Sequence, residues 1–474
     1  PQYKYKNLLL MINMTSTSPS TVILSQNSLI NKRKRNPWEL RGLNNVIVDS
    51  MVGSGTFGDV FKAFDRDTKE LLALKKIKIN EKSQGFPVTT IREIRILKSL
   101  DHENIVKLKE MIVYQDNDDD DESLNTYKLK KGDIFMVFEY VPFDLSGLLK
   151  TKEANITEMH IKSYMKQLLR GIHHLHLNKI LHRDIKPANI LITSSNVLKI
   201  ADWGLARTYM NSQKQNLTNP VVTLWYRSPE LVLGAKHYGS EVDIWSVGCL
   251  FCELKTRVAP LQASTEIQQL EKIYQLVGSP TNELKEKYSQ YPDYGKYTMS
   301  KEYQSRLRDK YEYMGPSALE LLGKMLDLNP ETRINASDAL DSNYFWEVPL
   351  VEPQLLPRFD HVISLGVTEY LVKEKHKEEK QKQIANDKAL LEKKDKERLE
   401  RLNLSKSTNN TSNKPLKDSR QPLIGFNSAP RGPIKGRGLM TSSKYKIVEQ
   451  STSSSSTVVI NNTSTDIKTN NNEN

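Results

Sequence analysis

The residues from Asp184 to Asn189, together with Asp202, bring groups suited to phosphate chemistry into one short stretch of chain. Asp184 is a carboxylate that could accept a proton, and Lys186 is a cation that could offset negative charge on a phosphate. Asn189 and Asp202 offer the oxygen atoms that Mg²⁺ prefers as ligands. Because the transfer of a phosphoryl group requires a base, a cation and a metal site, this segment predicts a phosphoryl-transfer centre.

Upstream, residues 53–60 form a glycine-rich loop with the sequence Gly-Ser-Gly-Thr-Phe-Gly-Asp-Val. Glycines let backbone amides approach a phosphate closely. Dinucleotide-binding folds share this glycine spacing, but there a helix follows the loop. Here residues 60–64 have the pattern of a strand, which favours a phosphate-binding loop between two strands. The nucleotide-binding residues predicted in and beside the loop are Val52, Gly53, Ser54, Gly55, Thr56, Phe57, Gly58, Asp59 and Val60.

These motifs resemble those of the eukaryotic protein kinase family. Residues 182–189 are similar to its catalytic loop and residues 202–204 to its metal-binding segment, with Trp203 where the family usually has phenylalanine. The resemblance implies an α+β fold with a small β-rich N-lobe, a larger helical C-lobe and disordered tails. It also implies ATP and Mg²⁺ as cofactors. At the matching positions, the implied catalytic residues are Asp184 and Lys186, and the implied metal ligands are Asn189 and Asp202.

Lys75 and Glu93 are expected to form an ion pair in such a fold. Lys75 lies in a predicted strand over residues 71–79, and Glu93 lies in a predicted helix over residues 90–100. By itself, a strand lysine is usually a solvent-facing charge, but the glycine-rich loop at the family's spacing favours a phosphate-binding role. The residues that the resemblance implies for contacts with the base and ribose are Glu139, Val141 and Asp144.

Within the family, residues 87–93 resemble the helix signature of the cyclin-dependent kinases. In that group a cyclin partner moves this helix into place. Thr218 matches the activating phosphorylation site of the group. The residues available to receive its phosphate are Arg92, Arg183 and Arg207. A phosphothreonine carries about −1.5 to −2 charge, so it could join three elements of the fold and act as a switch.

Other details, at residues 85–87, 144–149 and 344–346, resemble the transcription-elongation branch of the cyclin-dependent kinases. That branch implies a T- or K-type cyclin, Ser/Thr-Pro substrates such as the RNA polymerase II C-terminal domain, and a location in the nucleus. A cell-cycle kinase is the first alternative, and Phe57 counts against it because the inhibitory tyrosine of that group is absent. A pseudokinase scaffold is an alternative of another class, which the complete set of chemical groups disfavours.

Composition sets limits on the rest of the chain. The 474 residues carry a formal net charge of +12 and are 38% hydrophobic, which indicates a folded core with polar extensions. The two cysteines favour a reducing compartment over a disulfide scaffold, and we interpret Cys249 and Cys252 as buried helix residues. No apolar run reaches the ~20 residues of a membrane span, so no membrane partner is expected.

The chain is expected to divide into a flexible basic extension at residues 1–43, a kinase domain at 44–346 and further segments after it. The expected parts of the domain are an N-lobe at about 44–141, with an acidic insertion at 115–133, and a C-lobe at about 142–346. The expected segments after it are a C-terminal extension at 347–371, a charged helix at 372–404 and a disordered basic tail at 405–474. Because the tail lacks aromatic residues interleaved with its charges, direct nucleic-acid binding is expected to be weak at most.

Overall fold

The computed structural model describes most of the chain between residues 41 and 393. The described residues are 41–55, 58–79, 86–114, 127, 129–130, 132–209, 222–297, 299, 301–363, 368, 370–371, 373–375, 377–386, 388 and 393. The predicted nucleotide-binding residues Thr56 and Phe57 and the predicted phosphorylation site Thr218 lie outside them. So do both chain ends and most of the acidic insertion.

A six-stranded sheet forms the N-lobe. Its strands are β1 (Arg41–Gly42), β2 (Val46–Gly55), β3 (Gly58–Asp65), β4 (Leu71–Ile77), β5 (Leu108–Val113) and β6 (Ile134–Glu139). They lie in the order β1-β5-β6-β4-β3-β2, with β1 parallel to β5 and the other neighbours antiparallel. The pairs Gly53–Val60 and Gly55–Gly58 continue the β2–β3 ladder into the glycine-rich loop, so β3 begins before the predicted strand at residues 60–64.

Alternation along β4 decides which of its side chains face the second lobe. Leu72 and Leu74 are buried in the core of the sheet, at 3% and 0% exposure. Ala73 and Lys75 therefore project from the opposite face, since successive strand residues point to opposite sides. The strand register sets Lys75 beside Val60 on β3.

Helix α1 (Val88–Ser99) completes the N-lobe, and the C-lobe that follows is mainly helical. The helices of the C-lobe are α2 (Leu145–Lys150), α3 (Glu158–Leu177), α4 (Pro229–Val232), α5 (Glu241–Thr256), α6 (Glu266–Val277), α7 (Asn282–Tyr288), α8 (Leu307–Tyr311), α9 (Pro316–Met325), α10 (Ala336–Leu340), α11 (Asn343–Trp346) and α12 (Asp360–Ile363). Its short strands are β7 (Phe143–Asp144), β8 (Ile180–Leu181), β9 (Ile190–Ile192), β10 (Leu198–Ile200) and β11 (Arg207–Thr208). The strands β8 to β11 lie between α3 and α4 and carry the loops that hold the chemistry.

Helices α3 and α5 form the centre of the C-lobe. Leu168 and Ile172 on α3 are fully buried, and Thr157 caps the start of this helix by accepting a hydrogen bond from the amide of His160. Cys249 and Cys252 lie on α5 with no exposed surface, as the sequence predicted. None of the described helices is long and apolar enough to span a membrane. The predicted two-lobed α+β kinase fold is confirmed.

The segment that follows α11 packs against the C-lobe. Phe359 is 2% exposed, and its ring meets the ring of Phe143 edge-on, with 6.3 Å between the centroids. The carbonyl of Pro357 accepts a hydrogen bond of 3.2 Å from Nδ2 of Asn196 and lies 2.9 Å from Nε2 of His160. The C-terminal extension is therefore attached to the folded domain near the start of the C-lobe.

Candidate active site

Lys75 joins the two lobes through two carboxylates. Its Nζ lies 2.8 Å from Oε1 of Glu93 on α1 and 3.1 Å from Oδ1 of Asp202 in the C-lobe. Burial lowers the pKa of Lys75, but the charges of Asp202 and Glu93 outweigh this effect and the pKa is raised. Burial likewise raises the pKa of Asp202, but Lys75 reverses the direction and the pKa is lowered. Lys75 and Asp202 therefore both stay ionised at neutral pH.

The position of Glu93 depends on which face of α1 is buried. Ile94 and Leu97 of the same helix are 0% and 3% exposed and fix its inner face. Glu93 is 4% exposed beside them, and Lys75 is 9% exposed. A lysine and a glutamate are almost never this buried unless they are paired. The solvent-facing alternative for Lys75 is therefore excluded.

The catalytic loop holds Asp184 in a network of donors. Nζ of Lys186 lies 2.7 Å from Oδ2 of Asp184. The amide Nδ2 of Asn189 donates to the same oxygen at 2.9 Å and to the backbone carbonyl of Asp184 at 2.8 Å. The Thr223 hydroxyl donates to Oδ1 of Asp184 at 3.0 Å and lies 3.1 Å from Nζ of Lys186. Sequence reasoning missed Thr223, because 39 residues separate it from Asp184.

Asp243 on α5 fixes the backbone of the same loop. Its Oδ1 accepts a hydrogen bond of 2.8 Å from the amide of Arg183, and its Oδ2 accepts one of 3.0 Å from the amide of His182. Nε2 of His176 also lies 3.0 Å from Oδ2. Burial raises the pKa of Asp243, but these hydrogen bonds and the nearby histidines lower it overall. A buried carboxylate with several donors can hold the loop in one conformation.

A cavity of about 320 Å³ lies between the lobes, under the glycine-rich loop. The predicted site residues that line it are Val52, Gly53, Ser54, Gly55, Gly58, Val60, Lys75, Glu93, Glu139, Val141, Asp144, Asn189 and Asp202. Its wall combines apolar side chains from β4 and from the hinge, which is the segment at residues 139–141 between the lobes, with the charged groups around Lys75. A cavity with an apolar wall and a charged end suits a nucleotide, because the nucleobase has apolar faces and the phosphates are anionic.

Asp59, predicted as a nucleotide-binding residue, does not line this cavity. Its Oδ1 instead accepts a hydrogen bond of 2.7 Å from Oγ of Ser54, across the turn of the loop. Nζ of Lys78 lies 3.3 Å from the same oxygen and 2.8 Å from the carbonyl oxygen of Gly55. These contacts tie Asp59 to the glycine-rich loop, and its role in nucleotide binding stays a prediction.

The carboxylates of Glu139 and Asp144, which were predicted to contact the nucleotide, already have partners within the protein. Oε1 of Glu139 lies 2.8 Å from Nζ of Lys199 and accepts a hydrogen bond of 3.1 Å from the amide of Lys107. Oδ1 of Asp144 accepts a hydrogen bond of 2.7 Å from the amide of Gly147 and caps α2. The side chain of Glu139 is therefore turned towards lysine partners, so the hinge would meet a base through its backbone.

Two further residues of the wall come from the C-terminal extension. Thr368 and Tyr370 line the cavity, and Oγ1 of Thr368 donates a hydrogen bond of 3.2 Å to the carbonyl oxygen of Val52. Sequence reasoning assigned this extension no role in the site. The signal was absent because more than 300 residues separate Thr368 from Val52.

Trp203 replaces the usual phenylalanine without disturbing Asp202 beside it. Its side chain is 1% exposed and lines the rear of the cavity. The edge of one ring meets the face of the other between Trp203 and His182, with 5.0 Å between centroids. The larger ring is accommodated as part of the core.

The three arginines predicted to receive a phosphate lie near one another. Burial, together with the positive charges of Arg92 and Arg183, lowers the pKa of Arg207 to about 10. Arg183 is 1% exposed. Like charges this close repel one another, so the cluster favours an anion.

The guanidinium of Arg227 binds the backbone carbonyl of Val222, the residue before Thr223. Its Nη2 donates a hydrogen bond of 3.2 Å to that carbonyl oxygen, and its Nη1 lies 3.4 Å from Oε1 of Glu266. Val222 has φ of +68°, a strained conformation for a β-branched residue. Such strain is found where the surrounding structure requires it, often at a functional site.

Comparison with known proteins agrees with this geometry. A family model described as the protein kinase domain matches residues 46–345. The chain belongs to the protein kinase family. The matched region spans the two lobes that enclose the cavity.

Among the kinase's relatives are several cyclin-dependent kinases. Cyclin-dependent kinase C-2 of Arabidopsis thaliana is 46% identical over 324 residues, which are 68% of this chain and 63% of that protein. Cyclin-dependent kinase 9 of Homo sapiens is 43% identical over 304 residues, which are 63% of this chain and 80% of that protein. The chain thus spans a little under two thirds of the plant relative. The kinase is a member of the cyclin-dependent group.

A solved structure supports the same placement. The crystal structure of the yeast RNA Pol II CTD kinase CTDK-1 complex has a TM-score of 0.59 and 37% sequence identity with the kinase. The match covers 71% of this chain and 100% of that one. At this identity the likeness extends beyond the fold to the family.

Proposed function

We propose that this chain is a cyclin-dependent serine/threonine kinase that transfers the γ-phosphate of ATP to Ser/Thr-Pro sites. The observation that carries the proposal is the placement of Asp184, with Lys186 2.7 Å away, beside the cavity where Lys75 meets Glu93 and Asp202. A base, a cation and a phosphate-binding lysine are thereby held around one space, as phosphoryl transfer requires.

In the proposed reaction, Asp184 orients the substrate hydroxyl and accepts its proton. A bond forms between the hydroxyl oxygen and the γ-phosphorus, and the bond from that phosphorus to the β,γ-bridging oxygen breaks to leave ADP. Lys186 offsets the charge on the transferred phosphate, and Lys75 holds the α- and β-phosphates. The pair of donors on Asp184, from Asn189 and Thr223, fixes the carboxylate in one orientation.

The metal ligands fit Mg²⁺. Asp202 offers a carboxylate, and because Nδ2 of Asn189 donates to Asp184, the carbonyl oxygen of that amide is left for a cation. The described residues contain no group of three or more His, Cys, Asp or Glu that could hold a metal. Two protein ligands suffice for Mg²⁺, which is commonly bound by one or two carboxylates together with substrate phosphates. When bound, the ion would neutralise charge on the phosphates.

The preference for proline follows from Arg227. Since Nη2 of Arg227 already bonds to the carbonyl of Val222, that carbonyl is less able to accept a hydrogen bond from the amide of a bound peptide. An ordinary residue after the phosphoacceptor would then have its amide desolvated without a partner. Proline has no amide hydrogen and avoids this cost.

The proposed partner is a cyclin of the T or K type, and the proposed substrate is the RNA polymerase II C-terminal domain in the nucleus. Support comes from the sequence resemblance to the elongation branch. The likeness to the yeast RNA Pol II CTD kinase CTDK-1 complex adds to it. Phosphorylation of Thr218 is the proposed activating step, and it would place a phosphate near Arg92, Arg183 and Arg207.

The test uses the full chain purified with the cyclin that it binds in cells. We expect Mg²⁺- and ATP-dependent phosphorylation of a peptide from the polymerase C-terminal domain, and at least tenfold less with each Ser-Pro changed to Ser-Ala. Asp184→Asn should abolish this activity without changing cyclin binding. A wild-type complex without turnover would favour a scaffold, and a bound A- or B-type cyclin would favour the cell-cycle alternative.

A further inference from the structure

Arg183 is a buried cation without a carboxylate partner among the described residues. Its side chain is 1% exposed. Nε donates to the carbonyl oxygen of Leu205 at 2.9 Å, and Nη1 donates to the hydroxyl of Tyr238 at 2.7 Å. The third nitrogen, Nη2, is buried and has no hydrogen-bond partner in the part of the chain that the structure describes. A buried charge that only neutral acceptors satisfy is costly, so this site is electrostatically suited to an anion.

Because the guanidinium is planar and rigid, the hydrogen bonds that hold Nε and Nη1 also set the direction of Nη2. Leu205 follows the metal-binding segment, whereas Tyr238 comes from the loop between α4 and α5. The two acceptors therefore hold the plane of Arg183 from separate parts of the fold. Nη2 is left as the donor whose direction they determine.

Tyr238 also adjoins the rest of the arginine cluster. Burial raises the pKa of its phenol, and the charges of Arg183 and Arg207 act in the opposite direction. Its ring is partly buried, and its hydroxyl accepts the hydrogen bond from Nη1 of Arg183. The hydroxyl therefore binds Arg183 directly and lies within electrostatic reach of Arg207.

We propose that Tyr238 is a positioning residue of the activation switch, which orients Arg183 so that Nη2 can bind a phosphate monoester. The proposal rests on the proposed activation by phosphorylated Thr218 and adds a residue to that mechanism. Tyr238 keeps Nη1, the phosphate takes Nη2, and the orientation of the guanidinium is set before the phosphate arrives. Less reorganisation then opposes phosphate binding.

The experiment compares Tyr238→Phe with the wild type as full-length complexes with the bound cyclin, each in Thr218-phosphorylated and dephosphorylated form. The activation factor is the ratio of kcat/KM between the two forms. Tyr238→Phe should lower this factor about tenfold, because a hydrogen bond to a charged group is lost. Basal activity of the dephosphorylated form should change less than threefold. Tyr209→Phe is the matched control, because it removes a nearby phenol whose hydrogen bond is to Ser240.

A purely structural role would produce a different pattern. Tyr238→Phe would then lower the melting temperature and the activity of both forms alike, and the activation factor would equal that of Tyr209→Phe. This result would overturn the role of Tyr238 while leaving the switch intact. If the wild type is not activated by Thr218 phosphorylation, or if Thr218→Ala is equally active, the switch itself fails and the role of Tyr238 fails with it.

Discussion

The hydroxyl of Thr223 donates a hydrogen bond of 3.0 Å to Oδ1 of Asp184. The other oxygen of Asp184 is held by Lys186 and Asn189. The carboxylate is therefore fixed from both sides, by its own loop and by Thr223. A substrate hydroxyl that reaches Asp184 meets a base whose orientation is set in advance, which is how positioned groups lower a barrier.

Thr223→Val is expected to lower kcat about tenfold and to leave the KM for ATP within twofold. Valine keeps the shape of threonine but removes the donor to Asp184, and the loss of one such hydrogen bond to a charged group has about this effect. Thr223→Ser keeps the hydroxyl and should retain at least half of the wild-type kcat. Steady-state kinetics on a Ser-Pro peptide provide the measurement. Equal rates for the valine and serine variants would contradict the assigned role.

Lys75→Met is expected to lower kcat/KM for ATP at least about 100-fold, because the phosphates lose their buried cation. It should also lower the free energy of unfolding by about 3 kcal/mol, since Glu93 is left buried and unpaired. The double variant with Glu93→Gln should recover most of the stability and none of the activity. Urea titration and ATP kinetics on the same samples separate these two effects. Activity restored in the double variant would argue against a phosphate role for Lys75.

Asp243→Asn is expected to flatten the acid dependence of stability. In the folded protein the pKa of Asp243 lies below its ordinary value of 3.8 despite burial, because His176 and the amide of Arg183 favour the ionised form. A group with a lowered pKa stabilises the fold fully above the unfolded value and loses this contribution as the pH falls through the folded value. The wild type should therefore lose more stability than the variant below about pH 4.

Urea midpoints at neutral pH and at about pH 3.5 measure this difference. At neutral pH the variant should already be less stable by about 3 kcal/mol, because the carboxylate's charge-assisted hydrogen bonds are weakened. Parallel acid dependence in the two proteins would show that Asp243 is not held ionised by its neighbours.

Arg227→Ala is expected to relax the requirement for proline after the phosphoacceptor. With the guanidinium removed, the carbonyl of Val222 becomes free to accept an amide from the substrate. The ratio of kcat/KM for matched Ser-Pro and Ser-Ala peptides should fall about tenfold, chiefly through a gain on Ser-Ala. Glu266→Gln is the control, because it weakens the ion pair with Arg227 and leaves the bond to Val222. An unchanged peptide ratio would refute this origin of the preference.

Thr368→Val is expected to raise the KM for ATP about threefold with little change in kcat. The substitution removes the hydrogen bond to the carbonyl of Val52, which lies at the start of the glycine-rich loop, and a neutral hydrogen bond has about this effect. Ser317→Ala is the control, since it removes a surface hydroxyl bonded to Glu347. Equal KM values for both variants would mean that the extension does not support the loop.

Motifs that are contiguous in sequence could be predicted, because their chemistry and spacing are local. Asp184, Lys186 and Asn189 fall within one loop, and the pairing of Lys75 with Glu93 followed from their strand and helix. The contacts of Asp59 with Ser54 and Lys78 could not be predicted, since its position in the loop gives no sign of them.

Residues that meet the site only through tertiary contacts could not be predicted. Thr223 reaches Asp184, and Tyr238 reaches Arg183 across 55 residues of chain, although sequence reasoning assigned neither residue a chemical role. Trp203 shows the opposite case. Its departure from the family pattern was visible in sequence, but only the packing against His182 shows that the core accommodates it.

The packing of Phe359 against Phe143 has a practical consequence for where the domain is cut. The family match ends at residue 345, yet Leu356, Phe359 and Val362 are 4%, 2% and 0% exposed beyond it. A truncation at that boundary would expose the apolar surface of the C-lobe that these side chains cover. It would also remove the hydrogen bond from Thr368 to the carbonyl of Val52. Phe359 contacts the C-lobe and Thr368 contacts the N-lobe, so the C-terminal extension has contacts on both sides of the interlobe cleft, and a movement of the lobes would act on them.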